Sequence, residues 1–138
     1  MIALIIARLK TVPGLRLVEG LAEWSVLDAP PLLVPAAYVL PSTTEAGGNA
    51  LAAGGFRQPV TEAAQVIVLT RNLRDARGDQ ASLDLIAARD AARAALLGWV
   101  PATGWTPIEL AAGALVGMEG DAVVWRDTVT SRTQLTRV

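Results

Sequence analysis

The sequence lacks two residue types on which much enzymatic and metal chemistry depends, because none of its 138 residues is cysteine or histidine. Without them, Ser-His-Asp triads, Cys-His pairs and the usual zinc sites are impossible. Disulfides and thiol chemistry are excluded as well, while the redox compartment stays open because oxidising and reducing settings both permit such a chain. These absences remove most hydrolase mechanisms, and no residue of the sequence looks catalytic, so we predict no catalytic residue, no cofactor and no metal site.

The sequence also has few aromatic residues and no large excess of positive or negative charge. Only 4% of the residues are aromatic although 52% are hydrophobic, so the core must consist of small aliphatic side chains. Such a chain readily exposes apolar surface that oligomerisation covers. Twelve basic and thirteen acidic residues nearly cancel, which argues against nonspecific nucleic-acid binding, since that binding depends on phosphate neutralisation.

Long hydrophobic runs are missing too. No window approaches the roughly 18 apolar residues of a membrane span, so we expect no membrane partner. In the opening segment MIALIIARLK the basic residues follow the apolar run, which favours an amphipathic helix over a signal peptide. The length suits one domain over residues 1–138.

Two segments show helical periodicity. In the first, Ile2, Ile5, Ile6 and Leu9 share one face, and Pro13-Gly14 ends the pattern. The second is predicted to begin at Asp79 as N-cap and to end at Gly98 as C-terminal cap. Its expected buried stripe consists of Leu85, Ala88, Ala92 and Leu96.

Strand patterns account for most of the remaining chain. We predict short strands over Leu15–Val18 and Pro35–Leu40, and a central strand over Pro59–Arg71. Apolar residues at even positions from Ile108 to Met118 predict a further strand, which returns after a turn at 119–121 along Val123 to Val129. The predicted fold class is α+β, with a mostly antiparallel sheet of four to five strands and two helices packed on one face.

Two segments show no core pattern. Residues 42–56 contain Gly47, Gly48, Gly54 and Gly55 and are predicted to form a mobile loop. The loop contains no lysine, so it does not match the phosphate-binding Gly-Lys-Ser/Thr motif. Residues 131–138 are polar and are expected to order only against a partner.

Three groups of residues, namely the arginines, some carboxylates and the tryptophans, each allow two interpretations, one structural and one functional. The turn from Arg71 to Asp79 holds three arginines before a helix N-terminus, either as a solvated turn or as an intersubunit salt-bridge network. Glu119, Asp121 and Asp127 share strand parity, which suits either a charged surface or a cation. The tryptophans are interpreted as core or core-edge residues or as interface anchors. They are Trp24, Trp99, Trp105 and Trp125.

Residues 35–99 carry a family resemblance, strongest in RNLRDARGDQASLDLIAARDAARAALLGW and weaker through the hairpin of residues 106–132. The chain resembles the tail-terminator proteins of long-tailed phages and phage-like particles. The resemblance implies a homohexameric ring that caps the tail tube, stops its polymerisation and presents a joining surface to the head side. It also implies a protein that is not an enzyme, and its implied partners are the tail tube protein and a head–tail connector protein.

The same resemblance implies a virion protein at the head-proximal end of the tail, assembled in the host cytoplasm. No specific nucleic acid is expected, although DNA can pass through the ring lumen. A head-completion or neck connector and a small-ligand-binding domain are the alternative functions. The hypothetical interface residues, mapped by position, are Arg71, Arg74, Asp75, Arg77, Asp79, Gly47, Gly48, Asn49, Gly54, Gly55 and Phe56.

Overall fold

A computed structural model describes residues 1–31, 33–71, 79–119 and 121–137, with the backbone alone at 79–81, 118 and 119. The sheet has the order β1-β2-β3-β5-β4; β1 runs parallel to β2 and the other pairs are antiparallel. The predicted α+β class is confirmed, with a short additional helix. The elements are α1 (Ile2–Leu9), β1 (Leu17–Glu19), α2 (Leu21–Ser25), β2 (Ala36–Ala46), β3 (Phe56–Arg71), α3 (Asp79–Leu96), β4 (Glu109–Glu119) and β5 (Ala122–Arg137).

One face of the sheet, here called the helical face, packs against α1 and α3. Both predicted helical stripes are confirmed, because Ile5 and Leu9 are buried in α1 and the whole predicted stripe of α3 is buried. Gly98 follows α3 with a φ of +82°, as expected for a C-terminal cap. The helical face therefore carries the larger core.

The opposite face, here called the open face, has a smaller core. Tyr38 and Ile67 lie in it, and Trp24 of α2 packs on Tyr38 with ring centroids 5.2 Å apart. Since α2 has only five residues, it covers a small part of this face. A single short helix thus leaves much of the open face to solvent.

Strand β4 differs from the alternation that its sequence predicts. Its register with β5 shifts between Leu110 and Ala112 and again between Leu115 and Gly117. Each shift turns the following side chains to the other face. Ile108, just before the strand, is buried, whereas Leu115 and Val116 are 60% and 54% exposed.

Strands β2 and β5 run further than predicted. Residues 42–46 belong to β2, so the loop covers only 47–55, and the predicted tail pairs with β3 until Arg137 faces Phe56. Apart from the buried Ser131, these segments are mostly exposed on both faces and therefore lack the apolar alternation by which strands are recognised in sequence. No helix among the described residues is long and apolar enough to cross a membrane.

Candidate assembly surfaces

A three-stranded projection extends beyond the core, and we call it the arm. It comprises residues 41–46 of β2, 56–59 of β3, 132–137 of β5 and the tip loop 47–55. Almost every side chain of the arm is exposed. Residues 41–46 lie beside Val60–Ala64 of β3, while 56–59, 134–137 and the tip loop extend past the buried Val60. A ribbon with both faces in water contributes little to its own core, so the arm is a candidate for contact with another molecule.

Asn49 organises the tip loop. Its Nδ2 group donates to the carbonyl oxygens of Leu51 and Gly55, while its Oδ1 atom accepts from the backbone N–H groups of Leu51 and Arg57. Gln58 adds a bond of 2.7 Å from Nε2 to the Gly47 carbonyl. The loop therefore has a defined conformation, held by one side chain that accepts and donates two bonds each.

At two positions in the tip loop, the local structure requires glycine. Gly54 has a φ of +69°, which favours glycine. A Cβ at Gly47 would lie 2.9 Å from Cγ of Pro59, too close for a side chain. Gly48 has open space around it, so neither reason applies there.

The arm tip is apolar and basic. Leu51, Phe56 and Leu135 are 38%, 36% and 50% exposed. Arg57 and Arg137 are exposed beside them. The structure thus places the predicted residues Asn49, Phe56 and the loop glycines together at one end of the molecule.

The predicted arginine turn lies at the other end of β3. Arg71, the last residue of that strand, donates from Nη2 to Oδ2 of Asp121 at 2.8 Å and from Nε to both carboxylate oxygens. This bonding lowers the pKa of Asp121. The observed partner of Arg71 is therefore a carboxylate of its own chain.

The other predicted residues of this turn, Arg74, Asp75 and Arg77, lie outside the described residues. Helix α3 begins at Asp79, whose side chain also lies outside them. Next to the turn, α3 exposes Leu83 and Ile86 at 62% and 45%. Apolar surface beside a charged turn is typical of a protein interface.

A polar cluster that the sequence did not predict joins α3 to β5. Arg93 donates two bonds of 2.7 Å to the buried carboxylate of Asp127, which also accepts from Nε1 of Trp125. The bond to Asp127 raises the pKa of Arg93. Arg89 lies over the Trp125 ring, 4.7 Å from its centroid. These contacts fix the position of α3 on the sheet.

The carboxylates considered for a cation are engaged differently. Asp121 pairs with Arg71, and Asp127 pairs with Arg93. Among the described residues, no group of three acidic side chains is placed to hold a metal ion. The structure brings Asp121 and Asp127 to arginines rather than to each other, and the side chain of Glu119 lies outside the described residues.

The open face carries a groove beside α2, here called the α2 groove, of about 660 Å³. Asp28 is the only charged residue among those described that line it. Val26, next to the groove, is 73% exposed. The lining residues are Trp24, Leu27, Asp28, Ala29, Pro30, Pro31, Leu69, Ala122 and Val124. Sequence reasoning did not find this groove, because its lining comes from four separate segments.

The four tryptophans are all half-buried, in agreement with the core-edge interpretation. Trp99 illustrates it: the ring packs against the helical-face core, and Arg8 lies over it at 5.1 Å from the centroid. Each ring therefore has one side in the fold and another near solvent.

Comparisons with known proteins agree with this architecture. A family model described as phage tail terminator protein matches residues 1–137. A solved structure described as the virion of a native gene transfer agent particle superposes with a TM-score of 0.60 at 14% identity, covering 98% of this chain and 95% of that one. The comparison with curated proteins gave no match.

Proposed function

The chain belongs to the phage tail terminator protein family, and on that premise we propose that it forms a homohexameric ring that caps the tail tube. It is a structural protein of a phage-type tail and a component of the virion. In the proposed role, the ring stops tube polymerisation and offers its other face to a head–tail connector protein. The protein performs this role by binding alone, without catalysing a reaction.

The observation that carries the proposal is the presence of different exposed surfaces at opposite ends of one sheet. The arm lies beyond one end of β3, and Leu83 and Ile86 of α3 are exposed near the other end, where Arg71 ends the strand. Contacts between unlike surfaces are head-to-tail, and they close into a ring when the rotation between subunits divides the circle. This arrangement supports a ring in preference to a two-fold dimer.

Termination follows physically if the two faces of the ring differ. A tube grows because each ring presents a surface that accepts the next one. A capping ring that binds the tube through one face, and has no tube-like surface on the other, ends that growth. We place the ring at the head-proximal end of the tail, assembled in the host cytoplasm, with a lumen through which DNA can pass.

The arginine turn is part of the proposed interface. Arg71 is already paired within its chain, so we assign the contact with a neighbouring subunit to Arg74 and Arg77. The arginine fork suits such contacts because it binds carboxylates through two parallel hydrogen bonds. Asp75 and Asp79 would offer the acidic partners.

The experiment that tests the function mixes purified protein with purified tail tubes. Electron microscopy should show one additional ring at one end of each tube, and mass photometry should show about six copies in it. Tubes incubated with the protein should no longer elongate when tube protein is added. A chain that stays monomeric and leaves tube ends bare contradicts the proposal, whereas binding to the head-side connector alone indicates a neck protein.

A further inference from the structure

The arm tip and the α2 groove match in apolar character. The tip presents Leu51, Phe56 and Leu135 to solvent, and the groove is lined almost entirely by apolar side chains. Burial of each surface against the other removes both from water, which is the main driving force of association. The hydrophobic match alone, however, does not select a partner.

The two surfaces also differ in charge. The arm carries Arg57, Arg132 and Arg137 against one acidic residue, Glu45, which lies in its β2 part; residues 47–59 and 132–137, which include the tip, contain no acidic residue. In the part of the chain that the structure describes, no carboxylate pairs with these three guanidinium groups. Asp28 is exposed at the groove, so it supplies the opposite charge.

Charge also orients the contact. An adjoining cavity shares Trp24 and Val124 with the α2 groove and is lined by Arg126 at its far side. The arginines of the arm are repelled there and attracted to the Asp28 end, since like charges in contact are unfavourable. The basic tip therefore has one favoured direction in the groove.

A subunit cannot place its own arm in its own groove. Helix α2 packs on Tyr38, and the eight residue steps from there to Ala46 span roughly 26 Å along β2 at about 3.3 Å per residue. Pairing with β3 continues to Ala46, which keeps the strand from folding back. The occupant of the groove must come from another molecule.

We infer that the arm of one subunit docks in the α2 groove of a second copy of this chain, with its basic tip at the Asp28 end. Arm and groove are different surfaces, so the contact is head-to-tail and suits ring closure. The inference rests on the proposed ring and deepens it, because it names the two surfaces that meet.

Charge reversal tests the pairing. Arg57→Glu combined with Arg137→Glu reverses the charge of the arm tip, and Asp28→Arg reverses the charge of the groove. Each should weaken subunit assembly, measured by analytical ultracentrifugation, by about tenfold or more, as loss of a specific interface pair does. The variant that combines both reversals should recover assembly to within about threefold of the wild type. Lys10→Glu, at an exposed position in neither surface, is the matched control and should assemble normally.

Because the chain has no cysteine, introduced thiols give a second measurement. Phe56→Cys at the tip, combined with Val26→Cys beside the groove, should yield a ladder of disulfide-linked multimers under mild oxidation. Each single-cysteine variant should give no ladder beyond a dimer. Circular dichroism must show that all variants are folded.

The outcomes separate this inference from the ring itself. A six-copy ring whose assembly is unaffected by the reversals, without the cross-linked ladder, overturns the docking inference and leaves the proposed function standing. Folded reversal variants that assemble poorly but do not recover when combined also overturn it. If the variant with the reversed arm charge still assembles but no longer binds tail tubes, the arm contacts the tube protein instead. A wild-type chain that forms no ring, alone or on tubes, contradicts the proposed function.

Discussion

At the residue scale, Gly113 determines whether the cluster of Arg93 and Asp127 can form. A Cβ at this position would lie 2.5 Å from Oδ1 of Asp127 and 2.8 Å from Nη2 of Arg93. Because Gly113 has no side chain, β4 leaves room for the ion pair between Arg93 and Asp127. A glycine within a strand often marks such a close approach.

We expect Gly113→Ala to destabilise the subunit by about 1–3 kcal/mol, the usual range for overpacking, because the added methyl group displaces the ion pair or the strand. Urea unfolding followed by fluorescence measures this change, and the surroundings of Trp125 should report it. Gly14→Ala is the control, since nothing lies within 4 Å of a Cβ there. Equal stability of both variants would show that edge strand β4 moves aside at no cost.

Asp121 links stability to pH. The hydrogen bond from Arg71 lowers the pKa of Asp121 below its ordinary value of 3.8. A carboxyl group with a lowered pKa stabilises the fold above its ordinary value, and this contribution is lost as the pH falls through the folded-state value. The ion pair thus contributes at neutral pH and disappears in acid.

We therefore expect Asp121→Asn to melt at a lower temperature than the wild type at pH 7. The difference should shrink as the pH falls below about 4, where the wild type also loses its charge. Thermal melts across pH 2–7 measure it, and Arg71→Gln should behave alike because it removes the same pair. A difference between Asp121→Asn and the wild type that stays constant down to pH 2 would contradict the assignment.

At the scale of elements, periodicity in the sequence predicts those that bury one face. The stripe ending at Leu96 in α3 follows from the helical pattern, because core contacts select apolar residues at those positions. Strand β3 follows from its β-branched run Val66–Val68, which is buried. The end of β5 gives no such signal, since Arg132 to Arg137 pair with β3 outside the core. In β4, pairing with β5 introduces bulges that no local pattern reveals.

The tip loop gives a prediction at this scale. We expect its amide hydrogens to exchange quickly in the free subunit and slowly after assembly, because the loop is exposed and is held mainly by the Asn49 bonds, with a few bonds at Gly47 and Ala50. Hydrogen exchange with mass spectrometry on both states measures this difference. Asn49→Ala should speed exchange further in the free subunit, whereas Ser42→Ala, in β2, should leave the loop unchanged. Equally strong protection of the loop in both states would contradict the prediction.

At the scale of the whole molecule, sequence reasoning finds surfaces only where they are continuous in the chain. The tip loop enters the hypothetical interface by its position in the family resemblance, and its residues are consecutive in the chain. The α2 groove joins Trp24, Pro30, Leu69 and Val124 from separate segments, so the fold must be known before it can be seen. The cis partner Asp121 of Arg71 likewise depends on the β3–β5 register.

The arginine turn offers the last prediction, which separates stability from assembly. Arg71→Glu should destabilise the folded subunit because it places a second carboxylate against Asp121. Arg74→Glu and Arg77→Glu should leave melting unchanged but weaken ring formation and tube capping, if their partners lie on a neighbouring subunit. A buried interface pair broken on one side costs on the order of 3–5 kcal/mol, and an exposed pair costs less than about 1 kcal/mol.

Circular dichroism melting and a capping assay on tail tubes, run side by side for the three variants, give both quantities. Lys10→Glu controls for the change in net charge. Capping that survives both Arg74→Glu and Arg77→Glu would mean that these side chains are solvated, since a reversed charge within an interface cannot be silent. Loss of capping with an unchanged melting temperature would place the turn between subunits, because only a partner outside the chain can register a substitution that the isolated fold does not.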